Sequence, residues 1–393
     1  MGKSAEAGVV LTPGDNLLPG AGKNTTLRSL FLQATWAIPL VLSCLGILMI
    51  SSVTAQLATT QGRTPFFYGL KQVQWLLLGL GAMIACALPP VAFWKKWSGV
   101  IWSGAVLLMI LTLLPSLGRT GGGSSRWVRI GPLNLQASEV MLFALAIHLS
   151  KKLTEEGLTR GRAMGRTLLV FTLSAGPFLF QPDLGGGIIL CALSMAVFVQ
   201  VFGWVVPLVA GSIASAVIFI PVVLLGRYRI ERITSFLNPW GDPLGSGFQT
   251  IQGFIAFANG GFFGVGIGHG LQKLQYLPAA HTDFILAAIG EELGMVGTFS
   301  IVLLYALLLF IQYLSYHSAV GRFEATLVWA ITLAVCIPFF VNAAGVLGLI
   351  PLTGVPLPFI SYGGSSLVLG WCKIGVLLRL MRRNLFPTEG RAA

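Results

Sequence analysis

Apolar runs about as long as a bilayer is thick recur from residue 35 to residue 380. A helical span needs about 20 such residues. In lipid every backbone N–H and C=O must find its partner within the protein, so a chain of such runs has few folds open to it. Ten spans follow, with approximate limits 33–53, 73–93, 98–115, 136–150, 167–181, 185–203, 205–225, 284–313, 324–348 and 358–380. Composition agrees. Only 10% of the 393 residues are charged, where a soluble domain carries about a quarter. The expected fold is an all-α polytopic membrane protein: a tail over 1–32, one membrane domain over 33–380 and a tail over 381–393. A soluble enzyme and a disordered chain are excluded. Residues 1–26 lack the apolar core of a signal peptide, so the first span is expected to insert uncleaved.

The net charge of +12 does not point to nucleic acid, because the basic residues punctuate the apolar runs instead of lining one polar face. They read as topology signals. With both termini inside, fifteen Lys and Arg fall on the inner side and nine on the outer, which puts both termini in the cytoplasm. The outer face then carries loops 116–135, 226–282 and 349–357. In the longest of these, Ile251, Phe254, Ile255 and Ala258 recur at helical spacing, which predicts a short amphipathic helix in the membrane interface. The five cysteines lie inside apolar runs without a C-x-x-C pair and read as free thiols. The glycines at 264, 266, 268 and 270 do not close a dinucleotide fingerprint, and the four scattered histidines offer no zinc geometry.

Ionisable groups at membrane depth need a reason. Glu139, Asp183, Asp283, Glu291 and Glu292 touch or enter apolar runs. Asp283, after His281 and Thr282, opens the eighth span at the end of the long outer loop. Two readings stay open. Thr282 or Asp283 is a helix N-cap, or Asp283 faces an outer cavity as a general base. Glu291 lies near the helix face of Asp283 and either shares that cavity or makes a structural bond, and Glu292 pairs elsewhere. Gln136, Ser138 and Glu139 open the fourth span, while Gln181 and Asp183 sit at the turn before the sixth; each cluster also fits turn and cap chemistry. Residues 351–366 (PLTGVPLPFISYGGSS) cannot form a regular helix through three prolines. Ser361, Tyr362, Gly363, Gly364 and Ser365 close this stretch, and non-helical backbone at this depth argues for a watery cavity. Arg126, Arg227, Arg229 and Arg232 either hold phosphate or meet headgroups and solvent.

Together these stretches resemble the SEDS family (shape, elongation, division and sporulation) over nearly the whole chain. The resemblance rests on 229–252 (RIERITSFLNPWGDPLGSGFQTIQ), 276–294 (YLPAAHTDFILAAIGEELG), 351–366, 181–185 and the stretch from Arg126 and Trp127 to Glu139. It implies ten spans and a peptidoglycan glycosyltransferase that polymerises lipid II into glycan strands on the outer face of the cytoplasmic (inner) membrane. Asp283 takes the place of the family's catalytic aspartate. The polar residues of the outer motifs, Gln249 and Gln252 among them, become candidate substrate contacts. Asn238-Pro239-Trp240 and Ile289-Gly290-Glu291-Glu292 favour the division branch over the elongation branch.

The resemblance also implies undecaprenyl-linked glycan as ligand, a class B penicillin-binding protein and other divisome membrane proteins as partners, and a place at the septum. No dedicated metal cage is visible. A divalent cation (Mg or Mn) would be held by substrate pyrophosphate together with Asp283. The chain departs from the family at Ala279, Ala137, Leu142 and Leu286. With Leu142 in the usual lysine position, Glu139 needs another partner or protonation. A lipid II flippase, an elongation polymerase and a scaffold without chemistry are the rival readings.

Overall fold

The computed structural model describes residues 25–114, 118–121, 124–130, 133–155, 157, 160–181, 183–204, 227–272, 277 and 280–385. The elements in chain order are α1 (Thr25–Thr60), α2 (Phe67–Ala87), α3 (Val91–Leu111), β1 (Gly118–Gly121), β2 (Ser124–Ile130), β3 (Leu133–Gln136), α4 (Ala137–Leu153), α5 (Arg160–Phe180), α6 (Leu184–Phe202), α7 (Arg227–Leu237), a 3-10 turn (Pro239–Gly241), α8 (Phe248–Gly260), α9 (Ile285–His317), α10 (Arg322–Val346) and α11 (Gly364–Leu385). Among the described residues, α1, α2, α5, α6, α9, α10 and α11 are long and apolar enough to cross a membrane. The molecule is a multi-pass, nearly all-helical membrane protein. The span expected over 205–225 lies outside the described residues.

Which helices meet lipid and which meet protein follows from their side chains. α4 is buried along most of its length although it carries Ser138, Glu139, His148 and Ser150. At 17 residues it is short for a bilayer, and its polar groups find partners inside the bundle. α10 is buried in the same way. By contrast α2 exposes Leu70, Leu77, Leu78 and Ile84, and α9 exposes Met295, Phe299, Leu303 and Phe310. Such contiguous apolar surface on a soluble domain would mark a docking site; on spanning helices it meets acyl chains. The most extensive helix pair is α2 with α11. Small residues bring them close. A Cβ at Gly79 would stand 2.7 Å from Trp371, which is fully buried.

Several expected boundaries change. α3 starts at Val91, because Lys95 and Lys96 continue the helix past the end of the apolar run. The last helix starts at Gly364, six residues after the expected limit, since the prolines keep 351–358 out of the helix. The segment expected as a plain loop at 116–135 forms a three-stranded antiparallel sheet in the order β1-β2-β3. α7 is an additional helix inside the 226–282 loop. The helix expected around 251–258 exists as α8, and on its protein-facing side small residues join the buried Ile251. Gly253, Ala256 and Gly260 are buried, while Ala258 is exposed. Small residues let its backbone approach α9: a Cβ at Gly253 would reach the Phe284 ring at 2.8 Å.

Candidate active site

Asp283 stands in a tight segment just before α9. The cap position of α9 is Phe284, without a side-chain cap. The Phe284 carbonyl accepts from Ala287 and Ala288 at 3.0 and 3.2 Å. The cap position therefore falls one residue after Asp283. The peptide around it is clamped from three directions. The Ser361 hydroxyl donates to the Thr282 carbonyl at 2.6 Å. Tyr362 N–H donates to the His281 carbonyl at 2.9 Å. The buried Asn342 amide donates both to the Asp283 carbonyl (2.8 Å) and to the Val355 carbonyl (2.7 Å). Hydrogen bonds at these lengths are well formed, and together they tie 281–283, the non-helical segment 351–363 and α10 to one another.

That non-helical segment supplies the floor of the site. Gly354 has φ +68°, a region that glycine enters without steric cost. Its surroundings would meet a Cβ only at ordinary contact distance, so the positive φ is what favours glycine here. A Cβ there would lie 3.6 Å from Asp283 Oδ2 and 3.8 and 3.9 Å from the two terminal nitrogens of Arg232. A carboxylate and a guanidinium thus converge on one point of bare backbone. Arg232, on α7, is fixed by donating to the Leu352 carbonyl at 2.8 Å. It also lines a cavity of about 530 Å³ whose wall includes Trp240, Phe248, Gln249 and Thr250. The start of α6 buttresses the segment from behind, where a Cβ at Gly185 would stand 2.7 Å from the Val355 side chain. His281 packs its ring against Tyr68 (6.2 Å between centroids) and Tyr362 (5.9 Å). Burial holds its imidazole below the ordinary histidine value.

The other sequence candidates divide. Gln136, Ser138 and Ser365 form a buried joint: Gln136 N–H donates to Ser365 Oγ at 3.3 Å and its side-chain amide to Ser138 Oγ at 3.2 Å. Trp127 pairs with Gln136 across β2 and β3, and Arg126 lies on the same strand. Gly363 opens toward Ser366, and Gly364 leaves room for the Trp75 ring. Gln249 lines the cavity, whereas Gln252 is half-buried on α8 away from that lining. Arg229 lies on α7 with Arg232.

Four candidates make structural bonds. Asp183 is the N-cap of α6, accepting from Gly186 N–H at 3.1 Å. Gln181 is fully buried and donates to Met109 O at 2.9 Å and to Thr112. Glu291 does not share the space of Asp283. Its carboxylate accepts from Asn259 and from the backbone of Leu271 and Gln272, holding a loop that follows α8. Glu139, left without its usual lysine by Leu142, pairs with Lys373 of α11 at 3.2 Å. Sequence reasoning missed Asn342, Tyr68 and the pairing role of Lys373. An asparagine at 342 and a lysine at 373, each inside an apolar run, were the visible signals.

Comparison with known proteins fits this geometry. Residues 32–385 match the family model for the FtsW, RodA and SpoVE cell cycle proteins. The chain is 36% identical over 359 residues to the probable peptidoglycan glycosyltransferase FtsW of Coxiella burnetii, covering 88% of this chain and 95% of that one. It is 36% identical over 356 residues to the stage V sporulation protein E of Bacillus subtilis, covering 89% and 96%. A solved chain from a peptidoglycan synthase complex superposes with a TM-score of 0.72 at 26% identity, covering 89% of this chain and 98% of that one. The rod shape determining protein RodA of Thermus thermophilus shares the fold, with a TM-score of 0.66 at 24% identity, covering 89% and 96%.

Proposed function

Since the chain belongs to the cell cycle protein family of FtsW, RodA and SpoVE, we propose that it polymerises lipid II into glycan strands with Asp283 as the general base. The chain is a peptidoglycan glycosyltransferase, as its relatives are named. The observation that carries the mechanism is the approach of the Asp283 carboxylate and the Arg232 guanidinium to the bare backbone of Gly354, beside an open cavity.

The reaction is a displacement at an anomeric carbon. The acceptor hydroxyl oxygen forms the new bond to that carbon as Asp283 takes its proton. The bond from the carbon to the lipid pyrophosphate breaks, and its electron pair leaves with the pyrophosphate. Arg232 is placed to offset the developing negative charge, and a fixed donor costs no reorganisation when the charge appears. The undecaprenyl tails stay in the bilayer while the sugars enter the cavity. Among the described residues no group of three His, Cys, Asp or Glu side chains could hold a metal ion. A divalent cation would therefore arrive on the substrate's phosphates with Asp283 as the protein carboxylate at hand, and no step above depends on it.

The charge bias along the sequence supports ten spans with both termini in the cytoplasm, and Asp283 at the outer face of the inner membrane. Relatives named FtsW, and the likeness to a chain from a peptidoglycan synthase complex, support a division role at the septum beside a class B penicillin-binding protein and other divisome proteins. The test is Asp283→Asn, purified with its partner and given lipid II. Loss of polymer at unchanged thermal stability is expected. A folded variant that polymerises at the parent rate removes the base assignment. Strand formation and lipid movement, scored separately in liposomes, distinguish this enzyme from a carrier.

A further inference from the structure

A second concentration of positive charge lies beside the aromatic wall of the site, where neither the sequence motifs nor the mechanism uses it. The turn from α1 into α2 carries Arg63, and the second turn of α2 carries Lys71. Both side chains converge on one ring. The Arg63 guanidinium carbon is 4.2 Å from the Phe67 centroid and the Lys71 ammonium 4.7 Å. Each cation is attracted to the ring by its quadrupole. Among the described residues neither has a carboxylate partner. They also flank the start of a helix. The cap position of α2, Phe66, supplies no side-chain cap, so the first turn presents N–H groups and the positive end of the helix dipole.

The next residue of that turn connects the charges to the chemistry. Tyr68 sits 5.5 Å from Tyr362 and 6.2 Å from His281, measured between ring centroids. His281 is two residues from Asp283. The cation pair is therefore separated from the proposed base by a wall of rings. Arg232, in contrast, approaches the same point as the Asp283 carboxylate.

The two placements correspond to the two ends of the reaction. In glycosyl transfer between two lipid-linked saccharides, the leaving pyrophosphate is bonded to the carbon under attack. It must lie within reach of the base, where Arg232 stands. The acceptor's pyrophosphate survives the step, and its own sugars separate it from the reacting hydroxyl. We propose that Arg63, Lys71 and the open first turn of α2 form the subsite for that second, uncleaved pyrophosphate, with the Tyr68, His281 and Tyr362 rings as the wall along which the acceptor sugars lie. Aromatic faces suit the apolar faces of sugar rings, and bidentate guanidinium suits phosphate. The assignment rests on the polymerase reading above.

The shared chemistry of the ligand is a phosphate-ester anion at the membrane surface, and an anionic phospholipid headgroup carries the same chemistry. The experiment separates the two. Full-length protein with its partner is assayed with lipid II in neutral detergent and again in vesicles containing phosphatidylglycerol. Arg63→Ala and Lys71→Ala should each raise the apparent KM for lipid II roughly tenfold, the scale of a lost charge-assisted hydrogen bond. The rate at saturation should hold near the parent value, and Lys71→Arg should restore the KM. Inorganic pyrophosphate should inhibit the parent more strongly than the Arg63→Ala/Lys71→Ala double variant. Unchanged KM in detergent overturns the subsite. So does a KM effect that appears only with phosphatidylglycerol, which would assign the cations to a headgroup. A fall in saturated rate without a KM change also overturns it. Failure of the polymerase reading itself looks different, because the parent and Asp283→Asn would then give the same polymer yield.

Discussion

The most exacting single placement is Lys373. An ammonium inside a transmembrane helix costs several kcal/mol unless paired, and its side chain is 4% exposed. It reaches Glu139 at 3.2 Å and the Ala334 carbonyl at 3.2 Å, so α11 is tied to α4 and α10 through one nitrogen. Removing one member of such a pair leaves the other buried and uncompensated. Lys373→Met is expected to cost about 3–5 kcal/mol of stability, read as a lower unfolding temperature in detergent. Glu139→Gln added to Lys373→Met should recover most of that loss, since no charge then remains to be buried. If the single and double variants unfold at the same temperature, the pair contributes only packing. Both residues were visible in the sequence, as was the gap at Leu142. Their pairing was not, because the contact spans 234 positions, and helical spacing reports only neighbours three or four residues apart.

At the scale of elements, α9 is broken at Gly294, where φ is +68°. The break frees backbone groups that a continuous helix would have used. Met295 and Val296 N–H donate to the carbonyls of Gly261 and Phe262 (3.0 and 3.2 Å), while Val265 and Gly266 N–H donate to the carbonyls of Glu291 and Glu292 (3.0 Å each). The two carboxylates complete the joint: Glu292 accepts from Ser52 of α1 at 2.8 Å and from Gly268 N–H at 2.9 Å. This explains the glycine run that suggested no nucleotide fingerprint. Gly264 and Gly266 take φ of +81° and +98° because the loop lies backbone against backbone on the break. Gly264→Val combines a β-branched side chain at positive φ with a collision against the Glu292 backbone. Strain of this kind costs about 1–3 kcal/mol. The expected outcome is an undocked loop, seen as new protease cleavage or faster amide exchange within 261–272. Unaltered exchange there would mean that the joint holds by its side chains alone. The spans were legible because apolar length is a local property. The joint was not, since its glycines answer to a break in a different element.

Across the whole molecule, the site is an assembly of distant segments on one non-helical strip. Residues 351–363 meet the start of α6 through Gly185, α7 through Arg232, α10 through Asn342 and the segment before α9 through Ser361 and Tyr362. The sequence predicted that this stretch cannot be helical and that it borders a cavity, because proline chemistry is local. It could not say that the strip would be the common partner of four distant segments. That arrangement makes the position of Asp283 depend on contacts far from it. Gly185 is the sharpest case, since its Cβ would press on Thr353 O and lie 2.7 Å from the Val355 side chain, the two neighbours of Gly354. Tightly packed interiors pass such strain on instead of absorbing it. Gly185→Val should therefore displace Gly354, and with it the relation between Asp283 and Arg232, while the spans stay intact. The expected result is a loss of polymerisation of about 100-fold, the scale of a 1 Å misplacement, with helical content unchanged by circular dichroism and the partner still bound. Full activity in that variant would mean that the strip yields at Val355, and that Asp283 is held by Asn342 and Ser361 without help from α6.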